Sequence, residues 1–150
     1  MSDTLIGTQE PGNGAISFGS HRYKATLERV SPAGRAGLVD SGGDCALGVS
    51  LGSANFEGAR LEACVEWISA SFNSCAIVVG DTVYRKTLML LRGLDEATAR
   101  EAALEAGRTF IARYAPLFRQ YADRCTFTFV PFSQTETAPA FPGYLAKLVD

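Results

Sequence analysis

Asp44-Cys45-Ala46-Leu47-Gly48-Val49-Ser50-Leu51-Gly52-Ser53-Ala54-Asn55-Phe56 is the stretch on which the reading of this chain turns. Cys45 to Val49 is an apolar run, glycine and small polar residues interrupt it, and an amphipathic segment follows. That order predicts a buried strand, a tight turn and a helix. Ser50 then stands at the carboxyl end of a strand, with the amino end of a helix a few residues on. Ligands of open α/β sheets bind at that edge. A helix amino end also offers unpaired N–H groups and a positive partial charge to a developing oxyanion. Gly48 and Gly52 flank Ser50 and admit a close backbone or substrate approach. Ser50 is therefore the candidate nucleophile, although the pattern alone leaves open that it merely caps a helix or fills a turn.

Downstream of this stretch, Leu61, Val65, Ile68 and Phe72 recur at helical spacing and predict a helix over Glu57–Phe72, with Trp67 to one side as a core-packing residue. Cys75–Gly80 is a continuous apolar run, the pattern of a strand covered on both faces, and Asp81-Thr82 follow at its carboxyl end. Residues 45–79 thus form one βαβ unit with a right-handed crossover. Residues 82–92 read as a short helix or an ordered loop. Asp95–Arg124 reads as a long helix through Ala99, Ala103, Phe110, Tyr114 and Leu117, which Pro116 should kink or divide. Cys125–Val130 reads as another strand, Pro131–Pro142 as a loop and Gly143–Val149 as a final helix.

Upstream, Tyr23–Val30 alternates loosely and predicts an opening strand that Ser31-Pro32 ends, followed by a possible helical turn at Ala36–Val39. Residues 1–21, rich in glycine and small polar residues, are expected to be a flexible lead-in to one domain over residues 22–150. The order of elements implies an α/β fold: a mainly parallel sheet with helices on both faces.

Composition narrows the function. The 150 residues make one ordinary domain, and 47% apolar with 20% charged residues is a globular balance. A net charge of −2 gives no general attraction for nucleic acid. Cys45, Cys64, Cys75 and Cys125 form no C-x-x-C pair and His21 is the single histidine, so no metal site is expected and the thiols are read as reduced core residues. Met1-Ser2-Asp3-Thr4 has no basic region with an apolar stretch behind it, and no run is long enough to span a bilayer. The expectation is a cytoplasmic protein without a membrane partner.

Gly48-Val49-Ser50-Leu51-Gly52 fits the G-x-S-x-G elbow of α/β-hydrolases, but such an enzyme needs a histidine downstream of its serine, and His21 lies upstream. Phosphate-binding glycine motifs are missing too, so no nucleotide cofactor is expected. A serine with no base of its own suits a substrate that is already activated, such as the ester of a charged tRNA, unless a base comes from elsewhere. On the long helix Arg108 and Arg119 share one face and Arg113 and Arg124 another, with acids between them, which is the pattern of a solvated helix. Arg85, Lys86 and Arg92 form a smaller basic cluster.

Taken together, Tyr23-Lys24-Ala25, Leu47-Gly48-Val49-Ser50 with Phe56, Trp67 with Phe72, Val78-Val79-Gly80-Asp81-Thr82 and Pro142-Gly143-Tyr144 occur in an order that resembles the cyclodipeptide synthase family over residues 22–150. The resemblance implies a Rossmann-like fold similar to the catalytic domain of the class I tyrosyl- and tryptophanyl-tRNA synthetases. It also implies a mechanism: Ser50 takes an aminoacyl group from a charged tRNA, the acyl-enzyme reacts with a second aminoacyl-tRNA, and the dipeptide cyclises to a diketopiperazine without ATP. Gly48 matches the glycine beside the first aminoacyl pocket, which Val78 helps to line. Ser53 stands where the family usually has Asn, and Asn55 lies two residues on; both are candidate substrate-binding residues. The family's tyrosines and its Tyr-x-x-x-Glu segment have no counterpart here. The expectation is the N-terminal half of a split synthase, completed by a second chain or by self-association. An inactive binding subunit and a single-step aminoacyl-tRNA-dependent acyltransferase are the alternatives.

Overall fold

The computed structural model describes residues 17–19 and 23–142. Its sheet has three strands, β1 (Gly42–Val49), β2 (Phe72–Val79) and β3 (Thr126–Pro131), in the order β1-β2-β3. Both pairings are parallel: Cys45 lies opposite Cys75, Val49 opposite Val79, and Val79 opposite Pro131. The helices are α1 (Gly37–Asp40), α2 (Gly58–Ser71), α3 (Asp81–Arg92), α4 (Glu96–Arg119) and α5 (Phe132–Glu136). This is a Rossmann-like α/β arrangement, each parallel step being bridged by helix.

Period-two alternation sorts the strands' side chains. Cys75, Ile77 and Val79 of β2 are buried, and Cys45, Leu47, Phe127 and Phe129 pack beside them. Leu61, Val65 and Ile68 of α2 and Phe110, Tyr114, Leu117 and Phe118 of α4 close the same cluster. The opposite face carries Asp44, Ala46 and Gly48 on β1, Ala76 and Val78 on β2, and Thr126, Thr128 and Val130 on β3. None of these is buried. At the strands' carboxyl edge, Val83, Tyr84 and Thr87 of α3 stand beside Gly48 and Val78 on that face.

Two local devices join the layers. Glu57, before α2, makes no side-chain cap, and the Tyr114 hydroxyl accepts from the Gly58 N–H at 3.1 Å in its place. α4 has its own cap: Asp95 accepts from the Thr98 N–H at 3.0 Å, and the Thr98 hydroxyl donates to the same carboxylate at 2.6 Å, which holds that carboxyl below its ordinary range.

Four expectations change. Tyr23–Val30 forms no strand; loose alternation does not supply a pairing neighbour, and Tyr23–Ala25 lie against the outer side of α2 instead. α4 runs unbroken through Pro116 to Arg119, because the proline falls in the last turn and Tyr114, Leu117 and Phe118 anchor it in the core. The loop expected from Pro131 opens with α5. Phe18, within the expected flexible lead-in, is docked: its N–H donates to Glu62 at 2.7 Å and its ring lies 5.8 Å from that of Tyr114. Residues 1–16, His21 and the expected Gly143–Val149 helix lie outside the described residues.

Candidate active site

Ser50 follows the last residue of β1, and its carbonyl accepts from the Ser53 N–H at 3.3 Å, closing a four-residue turn. Gly52, third in that turn, has φ +77°, the left-handed value a type II turn requires there. A 3-10 turn over Ala54–Phe56 and then α2 follow. The predicted strand–turn–helix is therefore present. The helix start that borders the serine is nevertheless that of α3, not α2, since the Gly80 N–H donates to the Val49 carbonyl at 2.9 Å and holds the end of β2 beside Ser50. A Cβ on Gly80 would come 3.1 Å from that carbonyl, so a side chain there would crowd the approach.

The serine opens on a cavity of about 330 Å³ lined by Gly48, Val49, Leu51, Val78 and Gly80 and, from α3, by Val83, Tyr84 and Thr87. Ser50, Gly48 and Val78 are brought together as the sequence suggested. Ser53 and Asn55 do not line the cavity. The Ser53 hydroxyl accepts from the Asn55 N–H at 3.4 Å, and the Asn55 amide oxygen accepts from Arg60 at 2.9 Å. No imidazole or carboxylate among the described residues lines the cavity, whose polar side chains are those of Ser50, Tyr84 and Thr87. Val83, Tyr84 and Thr87 do not stand out in the sequence, because residues 82–92 read equally as a short helix or an ordered loop. Their spacing after Asp81-Thr82, already placed at the sheet's carboxyl edge, was the available signal. A wider groove of about 440 Å³ between Tyr23–Ala25 and α2 is lined by no serine, threonine or thiol.

The surroundings are electrically quiet. Arg85 lies 3.6 Å from Glu96 and 3.7 Å from Glu136, and Lys86 lies 3.8 Å from Glu96, so two members of the expected basic cluster face acids. Arg108 is held by Glu105 at 2.6 Å on the exposed side of α4.

All four cysteines are free, and burial raises each thiol above its ordinary value of 9.0, Cys75 most of all. None is a ready thiolate nucleophile at neutral pH. A raised folded-state value adds stability that is complete below about pH 9 and is lost as pH rises above it. Thermal midpoints measured from pH 7 to 11 should hold to about pH 9 and then fall, and Cys75→Ser should flatten the fall.

Among the described residues, no helix is long and apolar enough to cross a membrane, and no group of three or more His, Cys, Asp or Glu is placed to hold a metal ion. The cyclodipeptide synthase family profile matches residues 34–148. The chain belongs to the cyclodipeptide synthase family. A comparison with curated proteins finds no match. Solved structures share the fold. A cyclodipeptide synthase from Fluoribacter dumoffii is similar with a TM-score of 0.65 at 22% identity, over 77% of this chain and 51% of that one. A cyclo(L-leucyl-L-phenylalanyl) synthase is similar at 0.58 and 18%, over 74% and 50%. A Mycobacterium tuberculosis protein, described as showing that cyclodipeptide synthetases are related to type I tRNA synthetases, is similar at 0.54 and 21%, over 75% and 50%. The chain spans about half the length of the solved structures it matches.

Proposed function

We propose that this cyclodipeptide synthase family member carries the acyl-accepting part of an aminoacyl-tRNA-dependent cyclodipeptide synthase, with Ser50 as the nucleophile. The observation that supports this most is an exposed serine at a strand end, opening on a cavity without an acid or imidazole in its lining. Such a site suits a substrate that brings its own leaving group. Ser50 Oγ attacks the ester carbonyl of aminoacyl-tRNA, the bond to the terminal ribose breaks, and the serine proton passes to the ribose oxygen. The amine of the aminoacyl group on Ser50 then attacks the ester of a second aminoacyl-tRNA, whose ribose oxygen leaves with the amine proton. The free amine of the resulting dipeptidyl ester attacks the ester carbonyl on Ser50, the diketopiperazine leaves, and the proton returns to Ser50 Oγ. No cofactor enters these steps. Gly48 and Val78 flank the acyl group. Charged tRNA places the reaction in the cytoplasm.

The second half of this reading is that another polypeptide, or a second copy of this one, completes the site. Parallel sheets are ordinarily covered on both faces, and here the Ala46–Gly48 and Ala76–Val78 face is uncovered among the described residues. Beside it, Val83, Leu90 and Leu91 of α3 are 56%, 84% and 75% exposed. Apolar surface of this kind marks interaction sites. Native mass spectrometry of the tagged chain from its own host should show a complex of fixed stoichiometry. A monomer alone would overturn the split arrangement.

A second reading, an inactive binding subunit, draws on Asn55, whose amide is engaged by Arg60 rather than turned to the cavity. Intact-mass analysis after incubation with charged tRNA separates the two readings, because an aminoacyl adduct on Ser50 excludes the inactive subunit.

A further inference from the structure

A side-chain contact on the nucleophile turn comes from a residue no motif pointed to. Tyr84 stands in the first turn of α3, where its N–H donates to the Gly80 carbonyl at 3.2 Å, and Gly80 is itself bonded to Val49, the residue before Ser50. From that anchor the phenol reaches across the cavity to the other side of the turn. A Cβ built on Gly52 would lie 3.1 Å from the Tyr84 hydroxyl, 3.1 Å from ring atom Cε2 and 3.4 Å from Cζ. The ring end therefore rests on the bare Cα of Gly52, two residues from Ser50, and it lines the same cavity as the serine. Gly52 meets two demands at once: its φ of +77° and the space the ring occupies.

We propose that Tyr84 is a positioning residue that fixes the rotation of the Ser50 turn by packing its ring on Gly52. Within the turn, the Ser53 N–H to Ser50 carbonyl bond at 3.3 Å is long for an N–H···O bond, and Leu51 packs towards the core on the other side. Without the ring, the Gly52 side of the turn loses its support and the Ser50 hydroxyl gains freedom relative to Gly48 and Val78. A displacement of about 1 Å at a reacting group costs on the order of 100-fold in rate. Packing, not the hydroxyl, carries this role, so phenylalanine should substitute for tyrosine.

The proposal rests on Ser50 being the acylated residue, and two readouts keep the two ideas apart. In the native complex, the rate of aminoacyl adduct formation on Ser50 should fall about 100-fold in Tyr84→Ala with KM for charged tRNA within about threefold, and Tyr84→Phe should recover most of it. Gly52→Ala should also slow the reaction. The double variant should be less impaired than the product of the two single effects, because the clash disappears with the ring and only the strain of the positive φ at position 52 remains. Independently of acyl transfer, the Ser50→Cys variant allows iodoacetamide labelling at position 50 to be followed by peptide mass spectrometry. Adding Tyr84→Ala should change that labelling rate about tenfold and adding Tyr84→Phe should not. Unchanged labelling in Tyr84→Ala, or multiplicative effects in the double variant, overturns the positioning role. A wild-type chain that never forms an adduct, while labelling still responds to Tyr84→Ala, overturns the acyl-enzyme reading and leaves the packing role standing.

Discussion

Ser50→Ala should abolish the aminoacyl adduct, and with it cyclodipeptide formation, by roughly 10³-fold or more, while the protein keeps its fold and its partner. The two halves of that expectation have separate grounds. Ser50 is exposed, and losing one hydroxyl at such a position changes stability by less than about 0.5 kcal/mol. The turn is held by backbone: the Ser50 carbonyl accepts from Ser53 and the Val49 carbonyl from Gly80, and both bonds survive the change. On the proposed reading the reaction should not survive it, because Ser50 is then the cavity residue that carries the acyl ester at the strand end. Thr87, the other aliphatic hydroxyl in the lining, stands on α3 across the cavity. Charged tRNA, wild-type or Ser50→Ala protein in its native complex, intact-mass analysis and product mass spectrometry check the prediction together. A diketopiperazine at wild-type yield from Ser50→Ala would move the nucleophile elsewhere. A linear aminoacyl conjugate in place of the diketopiperazine would indicate a single-step acyltransferase.

The second large effect is on stability. Asp81→Ala should cost about 3 kcal/mol and lower the melting midpoint by about 10 °C. Asp81 is 3% exposed at the start of α3. One carboxyl oxygen accepts from the Thr82 N–H at 2.8 Å and the Ser133 N–H at 2.9 Å; the other accepts from the Ser133 hydroxyl at 2.6 Å. Alanine would strand these part-buried donors, each costing about 1–3 kcal/mol when left unpaired. The same carboxyl group ties α5 to α3 across 52 residues of sequence. Gly107 of α4 makes room for it, since a Cβ there would lie 2.7 Å from Asp81 Cβ, so Gly107→Ala should itself cost about 1–3 kcal/mol by overpacking. Thermal and urea unfolding of the two variants measure this. The consequence reaches the site, because the helix that Asp81 anchors carries Val83, Tyr84 and Thr87 into the Ser50 cavity. A midpoint within about 2 °C of wild type in Asp81→Ala would show that water replaces the carboxyl group at no cost.

What the sequence determined was local. Apolar runs at Cys45–Val49 and Cys75–Val79 lie in β1 and β2. Helical spacing from Leu61 to Ile68 lies in α2, and the glycine-flanked break puts Ser50 at a strand's carboxyl end. These readings succeed because alternation and 3.6-residue spacing report which side of a segment meets the core, and glycine and proline report where the backbone must turn. The absence of a downstream histidine was equally legible and already favoured an activated ester as substrate. The tertiary structure decided what depends on distant partners. Tyr23–Val30 has strand-like residues but forms no strand, and only Tyr23–Ala25 are seen beside α2, because pairing needs a neighbouring strand that no local pattern encodes. Pro116 did not divide α4, because burial of Tyr114, Leu117 and Phe118 outweighs one lost hydrogen bond. Asp81, which the sequence puts at a strand's carboxyl end, is bound to Ser133, 52 residues away. Tyr84 looked like one more residue of an undecided segment, and only the crossing of α3 over the carboxyl edge of the sheet set its ring on Gly52 beside Ser50.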